Sequence, residues 1–171
     1  APRTETDFSA AAEKEPTRLT LYEGPKTMVS SADAKVTVNG YELFVYDVMV
    51  NHEHVWNANT QPVTTPMAYF DGQGPVWVEI EMPGLETVTE ARVLPSAAGI
   101  VPVIREGKTG FFLQEPGQYT VIFNDSVNKA LHLFVNPPET EKPDPEDPDV
   151  FYIGPGEWVM DAIALKDHQT L

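Results

Sequence analysis

The sequence predicts an all-β protein whose main part is an antiparallel β-sandwich, immunoglobulin-like or related. Short apolar runs follow one another at regular spacing, with no helical periodicity between them. An Asn39-Gly40 pair separates two of these runs, and it favours a tight β-hairpin turn because both residues tolerate positive φ. The 11 Gly and 16 Pro indicate many turns between short strands.

The strands are predicted where apolar, β-branched and aromatic residues cluster between turn residues. The predicted runs are residues 18–22, 35–38, 41–46, 67–70, 76–82, 91–94, 101–104, 110–113, 119–123 and 131–135. Residues 51–66 are polar and contain His52, His54 and Trp56, so this segment is predicted as a loop or an irregular edge.

Residues 76–82 alternate between apolar and polar side chains, which is typical of a strand with one buried face. Trp77, Glu79 and Glu81 are expected on the outer face of this strand. The neighbouring strands are phased to match, so we expect one shared core. Its predicted members are Val76, Val78, Ile80, Tyr119, Val121, Phe123, Leu131, Leu133 and Val135.

The charge of the chain excludes several classes of partner. The 26 Asp and Glu against 11 Lys and Arg give a formal net charge of −15, which repels nucleic acids and anionic membranes. The absence of cysteine excludes disulfides, thiolate metal sites and a cysteine nucleophile. Neither a phosphate-binding loop nor a dinucleotide fingerprint is present, so we expect no cofactor.

The chain is expected to divide into four segments. Residues 1–16 read as an N-terminal arm, and residues 17–136 as the sandwich. Residues 137–149 form an acidic, proline-rich linker that is expected to be extended. Residues 150–171 open a second structure, in which residues 150–153, 157–159 and 163–165 are predicted as short β segments.

Two motifs at the end of the sandwich resemble a known junction. Residues 133–139 (LFVNPPE) and 147–156 (DPDVFYIGPG) are similar to the junction between an N-terminal β-sandwich and a right-handed parallel β-helix. This junction occurs in bacterial polygalacturonase-like and dextranase-like glycoside hydrolases of the pectin-lyase-like superfamily. Residues 74–80, 92–95 and 99–102 resemble the same accessory domain.

The resemblance implies that residues 17–136 are a non-catalytic accessory domain and that residues 150–171 start a truncated β-helix. The catalytic carboxylates of the family lie on later coils of the helix, so no catalytic residue is assigned to this chain. The implied partner is the β-helix catalytic domain of the same polypeptide, which would degrade polysaccharide outside the cell or in the periplasm.

Trp77, Glu79, Glu81 and Trp56 are the candidate carbohydrate-binding residues. Indole rings stack on the apolar faces of sugars, and carboxylates accept hydrogen bonds from sugar hydroxyls. Trp77 could instead pack beneath the N-terminal arm or against the β-helix. His52 and His54 could bind zinc, but the third ligand is missing, so no metal site is predicted.

Two other functions remain open at this point. The sandwich could be a carbohydrate-binding module with its own aromatic patch, or it could be a cell-surface adhesion module. The paired carboxylates Glu79 and Glu81 have a spacing that would suit glycoside hydrolysis. Both are expected to be exposed, however, whereas a general acid needs a pKa raised by burial.

Overall fold

The computed structural model describes residues 18–51, 63–154 and 156–171, and these residues form an all-β structure with one short 3-10 helix, Ser96–Ala98. The strands are β1 (Arg18–Thr20), β2 (Lys35–Val38), β3 (Tyr41–Leu43), β4 (Tyr46–Asn51), β5 (Val63–Gln73), β6 (Val76–Glu81), β7 (Ala91–Leu94), β8 (Val103–Arg105), β9 (Lys108–Leu113), β10 (Gly117–Phe123) and β11 (Ser126–Asn136). No helix in the described part of the chain is long and apolar enough to cross a membrane.

The strands form two sheets. Sheet A has the order β1-β5-β11-β10-β7, and β4 also pairs with β5. Sheet B has the order β3-β2-β6-β9-β8. The predicted hairpin at Asn39-Gly40 is confirmed: φ is 49° at Asn39 and 82° at Gly40, and Val38 pairs with Tyr41 across the turn.

Sheet A is mixed, so the prediction of purely antiparallel pairing is wrong for one pair of strands. Strands β5 and β11 run parallel, and His132 lies opposite Met67 and Asn136 opposite Asp71. Parallel neighbours must be joined by a crossover rather than a tight turn. Here the chain between β5 and β11 includes all of sheet B except β2 and β3. Alternation of apolar and polar residues along a single strand does not reveal such a long crossover.

The predicted loop at residues 51–66 is also partly wrong, because strand β5 begins at Val63. Its first residues pair with β4, where Thr65 lies opposite Val48 and Pro66 opposite Asp47. The hydroxyl of Thr65 donates a hydrogen bond of 3.0 Å to the carbonyl oxygen of Ala130. Polar residues and a proline hid the start of β5 from sequence-based prediction. This part of the strand forms because it pairs with residues that are distant along the chain.

One hydrophobic core draws on both sheets, and its largest members are Phe70, Phe111 and Phe123. The nine predicted core residues are all buried, so the assignment of the strand faces is confirmed: Val76, Val78, Ile80, Tyr119, Val121, Phe123, Leu131, Leu133 and Val135. Burying a large aliphatic side chain contributes about 1.5–3 kcal/mol, so a polar substitution at one of these positions should destabilise the fold.

The segment after residue 149 differs from the sheets. Its described residues include one β-bridge, a parallel pair between Val150 and Thr170. The amide of Phe151 donates to the carbonyl oxygen of Thr170, and the amide of Thr170 donates to that of Asp149, each at 2.8 Å. The predicted strands at residues 157–159 and 163–165 do not form, because these residues gain no neighbouring strand.

Candidate functional site

Strand β6 places Trp77, Glu79 and Glu81 together on the outer face of sheet B. The strand alternates strictly between buried and half-buried residues, so these three side chains share one side, as the sequence predicts. Strand β9 supplies their neighbours, with Phe112 opposite Trp77, Gly110 opposite Glu79 and Lys108 opposite Glu81.

The indole of Trp77 lies across Gly110 of the neighbouring strand. A Cβ at Gly110 would overlap this ring, so glycine is what allows the indole to approach the backbone. The ring also contacts Phe112, with centroids 4.9 Å apart and planes tilted by 57°. Covering a glycine in a sheet is a structural role, and it leaves Trp77 half-buried rather than projecting into solvent.

Glu81 is held as a carboxylate by Lys108. The Lys108 Nζ lies 2.9 Å from Glu81 Oε1, and hydrogen bonding to this ammonium lowers the pKa of Glu81. The same contact raises the pKa of Lys108. A general acid in glycoside hydrolysis needs the opposite shift, because it must remain protonated near neutral pH. The geometry at Glu81 therefore suits hydrogen-bond acceptance better than acid catalysis.

The remaining predicted candidates lie outside the described residues or elsewhere in the chain. Trp56, His52 and His54 lie outside the described residues. Within the described ranges, no group of three His, Asp or Glu side chains could hold a metal ion. Trp158 lies in the segment after residue 149, where it is 63% exposed and its Nε1 donates to the carbonyl oxygen of Gly154 at 2.9 Å.

A second cluster, which the sequence did not predict, gathers four aromatic rings beside sheet A. Tyr69 of β5 stacks between Tyr22 and Tyr46, with centroid distances of 5.4 and 5.8 Å. Phe44 meets Tyr46 edge to face at 4.7 Å. Rings at these separations gain about 0.5–1.5 kcal/mol per pair beyond their burial. We call Tyr22, Phe44, Tyr46 and Tyr69 the aromatic row.

Hydrogen bonds fix the orientation of the tyrosines in the aromatic row. The Tyr22 hydroxyl donates to Asp71, and this bond raises the pKa of Tyr22 to about 12. Asp71 also accepts a bond of 3.2 Å from the side-chain amide of Asn136. Burial, with a hydrogen bond to Tyr69, raises the pKa of Tyr46 to about 12. These hydroxyls therefore stay protonated at neutral pH.

The aromatic row borders an open cleft of about 380 Å³. Its lining combines two aromatic side chains with two carboxylates and a hydroxyl; the lining residues are Leu21, Tyr22, Glu23, Gly24, Ser30, Glu42, Leu43 and Phe44. Glu23 and Glu42 are exposed, whereas Leu43 is buried. The alternating pattern of residues 41–46 gave one indication of this cleft in the sequence. It puts Phe44 on the opposite face from the core residues Leu43 and Val45.

Comparison with known proteins identifies a related fold but no related site. No protein-family model matches the chain, and no curated protein matches it. Among solved structures, the chain is similar to Dex49A from Penicillium minioluteum, with a TM-score of 0.52 and 12% identity. The match covers 78% of this chain and 34% of Dex49A, so the chain spans about a third of the length of that protein. At this identity, the likeness shows a related fold.

Proposed function

We propose that the chain is a non-catalytic accessory region of a polysaccharide-degrading glycoside hydrolase. In this proposal, residues 17–136 form a β-sandwich, residues 137–149 form a linker, and residues 150–171 begin a right-handed parallel β-helix. Dex49A, a dextranase of the pectin-lyase-like superfamily, supports the class because its fold is related. The junction motifs at residues 133–139 and 147–156 support the same class.

The observation that carries the proposal is the parallel pair between Val150 and Thr170. Two parallel segments twenty residues apart need a crossover, and the described residues between them contain no helix. One coil of a β-helix supplies such a crossover, since solenoid repeats start at about 20 residues. The exposed apolar side chains of this segment also match a coil, which buries its surface only against stacked neighbours.

Cross-linking tests the coil directly, because the chain contains no cysteine. Bridged residues on adjacent strands lie about 5 Å apart, within the range that a disulfide spans. Val150→Cys with Thr170→Cys should therefore oxidise readily to an intramolecular disulfide, as measured by mass and free-thiol content. The matched control is Val150→Cys with Leu165→Cys. Equal rates in the two pairs would contradict the coil.

The accessory role needs a test in the natural polypeptide. Deleting residues 17–136 should lower the melting temperature of the hydrolase, or its yield, while the products released from polysaccharide stay the same. The 171-residue chain alone should release no reducing ends from dextran or polygalacturonate. Release by this chain, lost in Glu79→Gln or Glu81→Gln, would show instead that the sheet B carboxylates are catalytic. The proposed location is extracellular or periplasmic, where such polysaccharides occur.

A second candidate function is glycan binding at the outer face of sheet B. Trp77, Glu79 and Glu81 share this face, which combines an aromatic ring with hydrogen-bond acceptors. Trp56 remains a proposed contributor. In Trp77→Phe, a smaller aromatic ring should still cover most of Gly110 but should offer less area on which a sugar can stack. This variant should therefore be retained less strongly by polysaccharide gels. Unchanged retention in Trp77→Phe and Trp77→Ala would exclude this face.

A further inference from the structure

The cleft beside the aromatic row arises from a break along one edge of sheet A. Strand β4 pairs with β5 up to Met67, and β1 pairs with β5 from Asp71 onward. Tyr69 lies between these two pairings. The chain that leaves β1 and the chain that enters β4 meet at this break, and together they line the cleft. The cleft thus lies between this break in sheet A and strand β3 of sheet B, which supplies Glu42 and Leu43.

Both aromatic walls of the cleft are held in place. A Cβ at Gly24 would overlap the ring of Phe44, so this ring lies directly on the Gly24 backbone. On the other side, Phe44 meets Tyr46. Tyr22 is fixed by stacking on Tyr69 and by its hydrogen bond to Asp71. Rings that are ordered before binding lose little entropy when a ligand arrives.

The polar lining indicates what kind of ligand fits. Glu23 and Glu42 present exposed carboxylates, which act only as hydrogen-bond acceptors when ionised. A ligand with many hydroxyl donors matches them, whereas a polyanion meets both these charges and the net charge of −15. The apolar faces of sugar rings match Tyr22 and Phe44, each of which can be approached from the cleft.

We propose that this cleft binds a neutral polysaccharide. One or two sugar rings stack on Tyr22 and Phe44, and their hydroxyls donate hydrogen bonds to Glu23 and Glu42. A volume of about 380 Å³ lies within the range of small-ligand sites. The site differs from the Trp77 face in its aromatic residues, Tyr22 and Phe44, although Glu42 belongs to β3 of the same sheet as Trp77.

The cleft also lies near the proposed coil. The cleft is lined by both ends of the segment that runs from Leu21 to Ser30. Between these ends, the hydroxyl of Thr27 contacts the carboxylate of Glu157. A glycan in the cleft would therefore sit beside the start of the β-helix. This placement rests on the proposed function, whereas binding in the cleft does not.

Affinity electrophoresis of the full chain tests the site, using gels that contain dextran or hydroxyethylcellulose as neutral probes. We expect retardation in at least one neutral gel and about a tenfold weaker interaction in Phe44→Ala. Glu42→Gln should weaken binding less, because an amide oxygen still accepts hydrogen bonds. Tyr41→Ala is the matched control: Tyr41 is 65% exposed but lies outside the cleft lining, so retardation should persist.

Gels that contain polygalacturonate or chitosan extend the experiment to an anionic and a cationic polysaccharide. Retardation only by polygalacturonate, only by chitosan, or by no gel would overturn the proposal. So would loss of neutral retardation in Trp77→Ala but not in Phe44→Ala. If Phe44→Ala fails to fold by circular dichroism, the double variant Glu42→Ala with Glu23→Ala takes its place, since both residues are exposed and alanine removes both hydrogen-bond acceptors. Full retention in that double variant would then exclude the cleft. The cross-linking outcome for residues 150 and 170 is independent of each of these results.

Discussion

The two-sheet region and the segment after residue 149 contain similar apolar residues, which are buried in the first and exposed in the second. Val78 in β6 is completely buried, whereas Val159 is fully exposed. Phe111 and Phe123 are core residues, whereas Phe151, Tyr152 and Trp158 are exposed. Apolar composition is therefore not what determines burial in this chain.

The difference lies in the number of backbone partners. Strand β6 pairs with β2 on one side and with β9 on the other, and its inner side chains join a core shared by two sheets. In the described residues after position 149, the β-pairing is limited to the bridge between Val150 and Thr170. A β layer buries an apolar face only against a second layer. The described part of the chain supplies that layer to the sheets but not to residues 150–171.

The largest effect should come from placing a charge inside the two-sheet core. Ile80→Asp should prevent folding, because it removes about 1.5–3 kcal/mol of burial and adds the desolvation of a carboxylate. Glu79→Lys, on the outer face of the same strand, should remain folded. Circular dichroism and thermal melting compare the two variants. Equal destabilisation would show that the two faces of β6 are not distinct.

The turn between β2 and β3 should be the next most sensitive feature. Gly40→Ala forces a side chain into a backbone with φ of 82° and should cost about 1–2 kcal/mol. Gly84→Ala is the control, because a Cβ there makes only an ordinary contact with Asp33. Urea unfolding should show a lower midpoint for Gly40→Ala alone. A matching loss in Gly84→Ala would mean that glycine flexibility, not the turn geometry, is responsible.

Alkaline pH should weaken the edge of sheet A where the aromatic row lies. Tyr22 and Tyr46 keep their protons up to about pH 12 in the folded protein, against about 10 for ordinary tyrosine. The unfolded chain loses these protons first, so the free energy of unfolding falls as pH rises from about 10 to about 12. Tyr22→Phe with Tyr46→Phe should flatten this decline in urea titrations. An unchanged pH dependence would contradict the raised pKa values.

The sequence allowed correct prediction of features that depend on neighbours along the chain. The inner face of β6 follows from alternation, and the hairpin at Asn39-Gly40 follows from the tolerance of both residues for positive φ. The parallel pairing of β5 with β11 could not be read this way, because it joins segments more than sixty residues apart. The cleft was missed for the same reason: Tyr22 and Phe44, which both line it, are twenty-two positions apart in the sequence, and β1 and β4 share one edge of β5.

Removal of residues 137–171 is the smallest expected perturbation and the most direct test of the central claim, that the two sheets fold without this segment. A chain ending at Asn136 should give the same β-type circular dichroism spectrum as the full chain. Its melting temperature should differ by less than about 4 °C, corresponding to roughly 1 kcal/mol. Its solubility should increase, because the exposed apolar residues between positions 150 and 171 are gone. If the shortened chain is unfolded, residues 137–171 belong to the same folding unit as the sheets, and the comparison between two separate regions is wrong.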